Sequence, residues 1–179
     1  MIIGITGTPG TGKTSASALL EDVLDLNELI KREGLYSGIA KKRDSLIADM
    51  DAVYDRVQEI ADGRDIVIEG HLSHHVSDVA IVLRTSPDEL ERRLSERGYS
   101  EAKIQENVEA ETIDVILVEA VEWCDKVFEI DTTYKTVEEV ADTIREILDG
   151  IDSKVMIDKY GPGSIDWMRS FVKWQCVCN

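Results

Sequence analysis

Eight residues near the N-terminus have the types and spacing to hold a triphosphate. Gly7-Thr8-Pro9-Gly10-Thr11-Gly12-Lys13-Thr14 fits the pattern G-x-x-x-x-G-K-[ST] in full. Glycines such as Gly10 and Gly12 let successive backbone N–H groups turn inward around phosphate oxygens, and the start of a following helix adds a favourable dipole. Lys13 brings a positive charge to the β- and γ-phosphates, the Thr14 hydroxyl is a ligand for Mg²⁺, and Ser15 can donate to the α-phosphate. A glycine-rich turn can also join a strand to a helix and bind nothing. Here an apolar strand precedes the pattern and a helical one follows, so the expected ligand is a nucleoside triphosphate with Mg²⁺.

A second group of candidates follows from where strands end. Glu69 closes the apolar run Asp65–Glu69, and the carboxyl ends of parallel strands face the ligand crevice. A carboxylate there can hold Mg²⁺ directly or through water; the alternative is a strand-end hydrogen-bond acceptor. His71 can reach the same space and orient an attacking water or acceptor, or be a loop histidine without chemistry. His74 and His75 read as ordinary loop residues rather than as a metal trio with His71. Arg92, Arg93 and Arg97 follow on one helix, with Arg93 and Arg97 sharing a face. Phosphoryl transfer spreads charge over equatorial oxygens that guanidinium groups stabilise. Arg97-Gly98-Tyr99 makes a hinge for a lid; the alternative is surface ion pairing with Glu89, Glu91, Glu96 and Glu101.

A P-loop does not by itself choose the reaction. The chain carries no N-K-x-D tetrad of the kind that reads guanine, and its 179 residues are too few for a transporter-type ATPase domain. Nucleotide and metabolite kinases remain.

The elements that must position these residues alternate short apolar strands with amphipathic helices, the pattern of a parallel α/β sheet. Expected strands are Ile2–Thr6, Val23–Leu26, Asp65–Glu69, Asp78–Leu83 and Val127–Ile130. Helices are expected over Lys13–Leu20, up to Ala61, from Ser86-Pro87, from Ser100 to about Trp123, and from the capping box Thr136-Val137-Glu138-Glu139 to Gly150. Beyond Ile151 the pattern weakens. Tyr160-Gly161-Pro162-Gly163 is a loop, and Ile165–Val177 is expected to dock on the core through Trp167, Phe171 and Trp174.

Composition limits the alternatives. A hydrophobic share of 43% suits one folded domain, and no apolar run is long enough to span a membrane. The N-terminus lacks the basic region of a signal peptide, so a cytoplasmic protein is expected. Cys124, Cys176 and Cys178 form no disulfide framework. With 36 acidic against 20 basic residues the net charge is −16, which repels nucleic-acid phosphates, disfavours broad nucleic-acid binding and would attract a basic partner.

At these residues the sequence resembles the adenylate kinase isoenzyme 6 family of archaea and eukaryotes. The likeness runs through Gly7–Thr14, Gly34-Leu35-Tyr36-Ser37-Gly38, Asp49-Met50-Asp51 and Glu69-Gly70-His71. It continues through Val82-Leu83-Arg84-Thr85, Arg93-Leu94 to Arg97-Gly98-Tyr99, and Lys103–Glu111. It covers roughly residues 3 to 148. The resemblance implies a three-layer α/β P-loop NTPase fold, a five-stranded parallel sheet flanked by helices, of nucleotide-kinase type. It implies a kinase domain over residues 1–150, with a monophosphate-binding segment at about 25–48 and a short lid at about 96–106, and a tail at 151–179. It further implies transfer from Mg²⁺–ATP to AMP with broad monophosphate tolerance, ATP hydrolysis, and a role in small-ribosomal-subunit maturation through a small-subunit ribosomal protein. By position, Gly10, Gly12, Lys13, Thr14, Ser15, Arg97 and Lys135 bind ATP, and Lys31, Tyr36, Arg43 and Arg93 bind the monophosphate. Lys13, Glu69, His71 and Arg97 are the catalytic set, with Thr14 and Glu69 at the metal. Three departures stand out: Glu69 replaces an aspartate, Lys31 replaces an arginine and so loses bidentate phosphate recognition, and Met50 interrupts an acidic triplet. The alternative function is an ATP-driven ribosome-assembly switch in which kinase turnover is incidental.

Overall fold

The computed structural model describes residues 1–40 and 45–168. Five parallel strands form its centre: β1 (Ile2–Thr6), β2 (Val23–Asp25), β5 (Ile66–Glu69), β6 (Val79–Arg84) and β7 (Lys126–Asp131), in the order β2-β5-β1-β6-β7. Every residue of β1 and β6 is buried, as continuous apolar runs covered on both faces require. Ile3, Ile5, Ile81 and Leu83 pack on one face with Val140, Ile144 and Ile147 of α7 (Val137–Asp149). On the other face Ile2 and Ile68 meet α2 (Leu26–Glu33) and α3 (Met50–Ala61), and Ala80 and Val82 meet α6 (Val115–Trp123). The result is three layers around the P-loop helix α1 (Lys13–Ser17).

Several elements differ from expectation, each for a local reason. Segment 26–33 is helical because Asp25 caps it, accepting from Glu28 N at 2.9 Å, and Gly34 ends it at φ 68°. Residues 36–48 include a separate antiparallel pair, β3 (Tyr36–Ala40) with β4 (Ser45–Ala48), to which the sequence pattern had assigned no strand. The P-loop helix stops at Ser17, short of Leu20. After α4 (Pro87–Glu96), the helix expected from Ser100 to Trp123 is two helices, α5 (Glu101–Thr112) and α6. They break at Asp114, which adopts a left-handed φ of 61° and pairs with Arg84. The capping box at Thr136 is present with both bonds. A further short helix, α8 (Lys154–Tyr160), precedes the Gly161-Pro162-Gly163 turn and starts on a Ser153 cap. Most of Ile165–Val177, with Phe171, Trp174, Cys176 and Cys178, lies outside the described residues. Among those described, no helix is long and apolar enough to cross a membrane.

One buried ion cluster ties the layers together. Arg84, the last residue of β6, is 1% exposed and donates through Nε to Glu111 Oε1 at 2.8 Å and through Nη1 to Glu129 Oε2 at 3.3 Å. Its Nη2 reaches the Glu111 carbonyl at 3.2 Å and the Asp114 carboxylate. One guanidinium cannot satisfy three carboxylates, and the remaining acceptor capacity is met by neutral donors. Glu129 Oε1 accepts from Ser164 N at 2.6 Å, Ser164 Oγ at 2.9 Å and Ile165 N at 3.0 Å, and Glu111 Oε1 accepts from Trp167 Nε1 at 3.2 Å. Trp167 thus docks as a hydrogen-bond donor, a role its apolar character did not predict.

Removing Arg84 would leave two buried carboxylates without a counter-charge. Arg84→Ala is expected to destabilise the protein by roughly 3–5 kcal/mol in urea unfolding. Arg92→Ala, whose guanidinium pairs with Glu89 and Glu96 on the exposed face of α4, should change it by less than about 1 kcal/mol.

Candidate active site

The P-loop runs from the end of β1 into α1 and packs closely on its neighbours. A Cβ at Gly7 would stand 2.3 Å from the Leu83 carbonyl oxygen, and one at Gly10 would stand 2.7 Å from Leu90 Cδ1; both glycines also have positive φ. Those positions therefore demand glycine on two counts. Gly12 caps α1 without a side chain, leaving the first-turn N–H groups for an anion. Thr11 Oγ1 donates to Thr8 O at 2.9 Å, and Thr8 Oγ1 donates to Glu111 Oε2 at 2.5 Å, so the buried ion cluster holds the loop from beneath.

Lys13 is 8% exposed and folds back, donating to Gly7 O at 2.7 Å and Thr8 O at 3.0 Å. Burial lowers its pKa to about 8, partly offset by the Glu69 and Glu111 carboxylates. Register pairing sets Glu69 at the end of β5 level with Asp25 at the end of β2. Glu69 is 3% exposed; its Oε1 accepts from Thr14 Oγ1 at 3.1 Å, while Oε2 is buried with no hydrogen-bond partner. Burial raises its pKa, the Thr14 bond opposes this, and the Asp25 charge adds to the rise. An orphaned carboxylate oxygen beside a threonine hydroxyl is an all-oxygen donor pair that suits a hard divalent cation such as Mg²⁺.

These groups line one cleft of ≈ 390 Å³. Gly10, Gly12, Lys13, Thr14 and Ser15 of the P-loop line it together with Glu69, His71 and Arg97, the last at the C-cap of α4. His71 stands exposed in the concave mouth, where the surrounding protein, then Lys13 and His75, lower its pKa and favour the neutral ring. Three further residues line the cleft, none of them assigned a ligand contact from sequence. Asn27 follows the end of β2, where the strand-end rule could have found it. Tyr99 and Lys103 flank the start of α5, with the Lys103 ammonium 4.8 Å from the Tyr99 ring centroid, a local contact at a spacing of four residues.

The remaining expected residues stand elsewhere. Arg93 is not brought to the cleft: it donates to Thr132 O at 2.8 Å, Thr133 O at 3.2 Å and Glu89 Oε1 at 2.8 Å, which fixes the β7–α7 loop instead. Arg93 is therefore not among the residues that line this cleft. Lys135 lies in the same loop and donates to Thr143 Oγ1 at 3.4 Å. This loop touches the P-loop through Thr132 Oγ1, which donates to Thr11 O at 3.0 Å. Lys31 is exposed on the last turn of α2, Tyr36 is 40% exposed at the start of β3, and neither lines the cleft. Arg43 lies outside the described residues.

Known proteins resemble this chain along most of its length. The family profile described as an AAA domain matches residues 3–114. Proteins of Methanosarcina barkeri and Methanosarcina acetivorans, each carrying the name "Putative adenylate kinase", are 53% and 50% identical. These alignments cover 94% and 95% of this chain and 98% and 99% of the relatives. A protein of the same name from Pyrococcus furiosus is 44% identical over 96% of this chain and 93% of its own. Among solved structures, shikimate kinase from Acinetobacter baumannii superposes with TM-score 0.56 at 15% identity, covering 86% of this chain and 95% of that one. Shikimate kinase from Bacteroides thetaiotaomicron gives 0.53 at 17%, covering 83% and 98%. The fold is that of P-loop kinases.

Glu69 links stability to pH. Its folded pKa lies above the unfolded value, so the stability it contributes at low pH is lost as pH rises. Glu69→Gln should therefore gain stability relative to the native protein as pH rises, in the absence of ligand. The native protein is expected to gain thermal stability on addition of Mg²⁺–ATP and the variant to gain none, and differential scanning calorimetry across pH checks both outcomes.

Proposed function

The chain belongs to the family of archaeal proteins that carry the name quoted above, and from that premise we propose that it is a broad-specificity nucleoside monophosphate kinase moving the γ-phosphoryl group of Mg²⁺–ATP to AMP. The observation that carries the reading is the convergence of Lys13, the Thr14–Glu69 pair, His71 and Arg97 on one cleft. We include ATP hydrolysis as a second activity, a cytoplasmic location, and a role in small-ribosomal-subunit maturation through a basic small-subunit ribosomal protein, for which the −16 net charge is suited.

The chemistry follows from the residues. Lys13 exchanges the Gly7 and Thr8 carbonyls for β- and γ-phosphate oxygens, whose charge restores its full protonation. Gly10, Gly12 and Ser15 complete the phosphate cradle, and Lys135 stands on the adenine side. Thr14 and Glu69 would hold Mg²⁺, which when bound neutralises charge developing on the transferring group. Arg97 and Lys103, which line the same cleft, stabilise the equatorial oxygens. Both belong to a lid at about 96–106 that turns on Gly98, whose φ is 73°. In the segment at about 25–48, Asn27 faces the cleft while Lys31, Tyr36 and Arg43 hold the monophosphate on closure. His71, as a neutral ring, orients the attacking oxygen. The domain spans residues 1–150, with the tail from 151 docked through Glu129 and Glu111.

A second reading rests on the exposure of Lys31 and Tyr36 away from the cleft. Among the described residues the ATP-side groups share one cleft while Lys31 and Tyr36 stand apart from it, as suits an ATPase switch released by a protein partner.

ADP formation from Mg²⁺–ATP, alone and with each monophosphate, separates the two. AMP-dependent ADP arising from both nucleotides is expected; phosphate release indifferent to every monophosphate would leave the switch. Lys13→Ala should lower either activity by about 10²–10³-fold, and full activity in that variant would sink the P-loop assignment. His71→Ala should reduce hydrolysis more than AMP phosphorylation, because water needs orienting and a bound acceptor does not. Equal losses would remove His71 from that role.

A further inference from the structure

Away from the cleft, the 3-10 turn Ser73–Val76 presents two adjacent imidazoles to α6. His74 is fully buried, far from the ordinary loop residue its sequence context suggests. Its Nδ1 lies 3.0 Å from Thr6 Oγ1 and its Nε2 lies 3.2 Å from Glu119 Oε2. His75 stacks on it with ring centroids 4.1 Å apart and meets the edge of Trp123 at 5.3 Å. One nitrogen from each imidazole and a Glu119 oxygen lie within 4.8 Å of one another.

The protons on this chain of contacts restrict what can occupy it. Thr6 has a single hydroxyl hydrogen and two contacts, His74 Nδ1 and the His71 carbonyl at 3.2 Å. A carbonyl only accepts, so both contacts are hydrogen bonds together only when Thr6 donates to His71 O and His74 Nδ1–H donates to Thr6. A neutral His74 then turns its Nε2 lone pair toward a carboxylate that also only accepts. A cation resolves that opposition. Ligands about 2.0–2.1 Å from a tetrahedral ion stand roughly 3.3 Å apart, close to the His74–Glu119 separation. A ligand histidine whose second N–H is held by an acceptor is also the usual way its tautomer is fixed.

We propose that His74 Nε2, His75 and Glu119 form a binding site for a zinc-class divalent cation. Two imidazoles and a carboxylate select Zn²⁺, Co²⁺ or Ni²⁺ over Mg²⁺, which prefers oxygen alone. The Glu119 side chain is 40% exposed, so an ion enters from solvent and water completes its shell. Cys124 Sγ donates to the His74 carbonyl at 3.3 Å and pins the turn that carries both rings. An ion here ties the loop bearing His71 to α6, and it is distinct from the all-oxygen Thr14–Glu69 pair.

The test is zinc titration of the full chain by isothermal calorimetry with Mg²⁺ in excess. It compares the native protein with His75→Ala, Glu119→Gln and the double variant Cys176→Ser/Cys178→Ser. His74 is left intact because its loss would empty a buried position; circular dichroism checks the fold of each variant. Equimolar binding is expected, weakened at least about tenfold by His75→Ala and by Glu119→Gln and unchanged in the double cysteine variant. Absence of equimolar binding would mean a shared proton fills the Nε2–Glu119 gap. Binding that survives both single variants, or that disappears with the two cysteines, would place the ion elsewhere. Each of these results overturns the proposal.

Discussion

The guanidinium of Arg84 sits where the sheet, the α5–α6 junction, the P-loop and the tail meet. It terminates β6, is enclosed by Glu111, Glu129 and Asp114, and reaches the P-loop through the Glu111–Thr8 bond. Burying these charges is tolerable only because nearly every lone pair finds a donor. That demand shapes the chain well beyond the cluster. It breaks the helix at Asp114, draws Ser164 and Ile165 onto Glu129, and turns the Trp167 indole N–H toward Glu111. The P-loop is therefore supported on a charged base whose geometry has little freedom.

Above that base the cleft is held in tension. Lys13 and Glu69 both lose hydration, and each has its pKa moved toward the neutral form. A bound anion relieves the lysine and a bound cation relieves the carboxylate, so a magnesium–triphosphate complex answers both strains at once. The Glu69 oxygen left without a partner stands beside the Thr14 hydroxyl, where the proposed cation would satisfy it.

The cationic residues of the cleft are held on different terms. Arg97, Tyr99 and Lys103 stand at the junction of α4 and α5, where Gly98 takes a positive φ and the chain changes direction. Among the described residues no carboxylate pairs with Arg97, in contrast to Arg92 and Arg93 one turn earlier. The P-loop glycines, Arg97 and Lys103 thus line one cleft, the arrangement that the proposed phosphoryl transfer requires.

The sequence by itself determined the parallel α/β class, all five strands of the sheet, and the P-loop with its Lys13 and Thr14. It also determined the placement of Glu69, His71 and Arg97 at one site. These features are legible because they depend on local patterns: continuous apolar runs, a motif of fixed spacing, and strand ends that face one crevice. Tertiary structure alone decided that Arg93 serves the Thr132–Thr133 loop, that Lys103 and Asn27 line the cleft, that the helix breaks at Asp114, and that His74 lies buried against Glu119. Each of those outcomes joins residues far apart in the chain. Which donor a buried carboxylate captures depends on what the fold brings within about 3 Å of it, and no local pattern carries that distance.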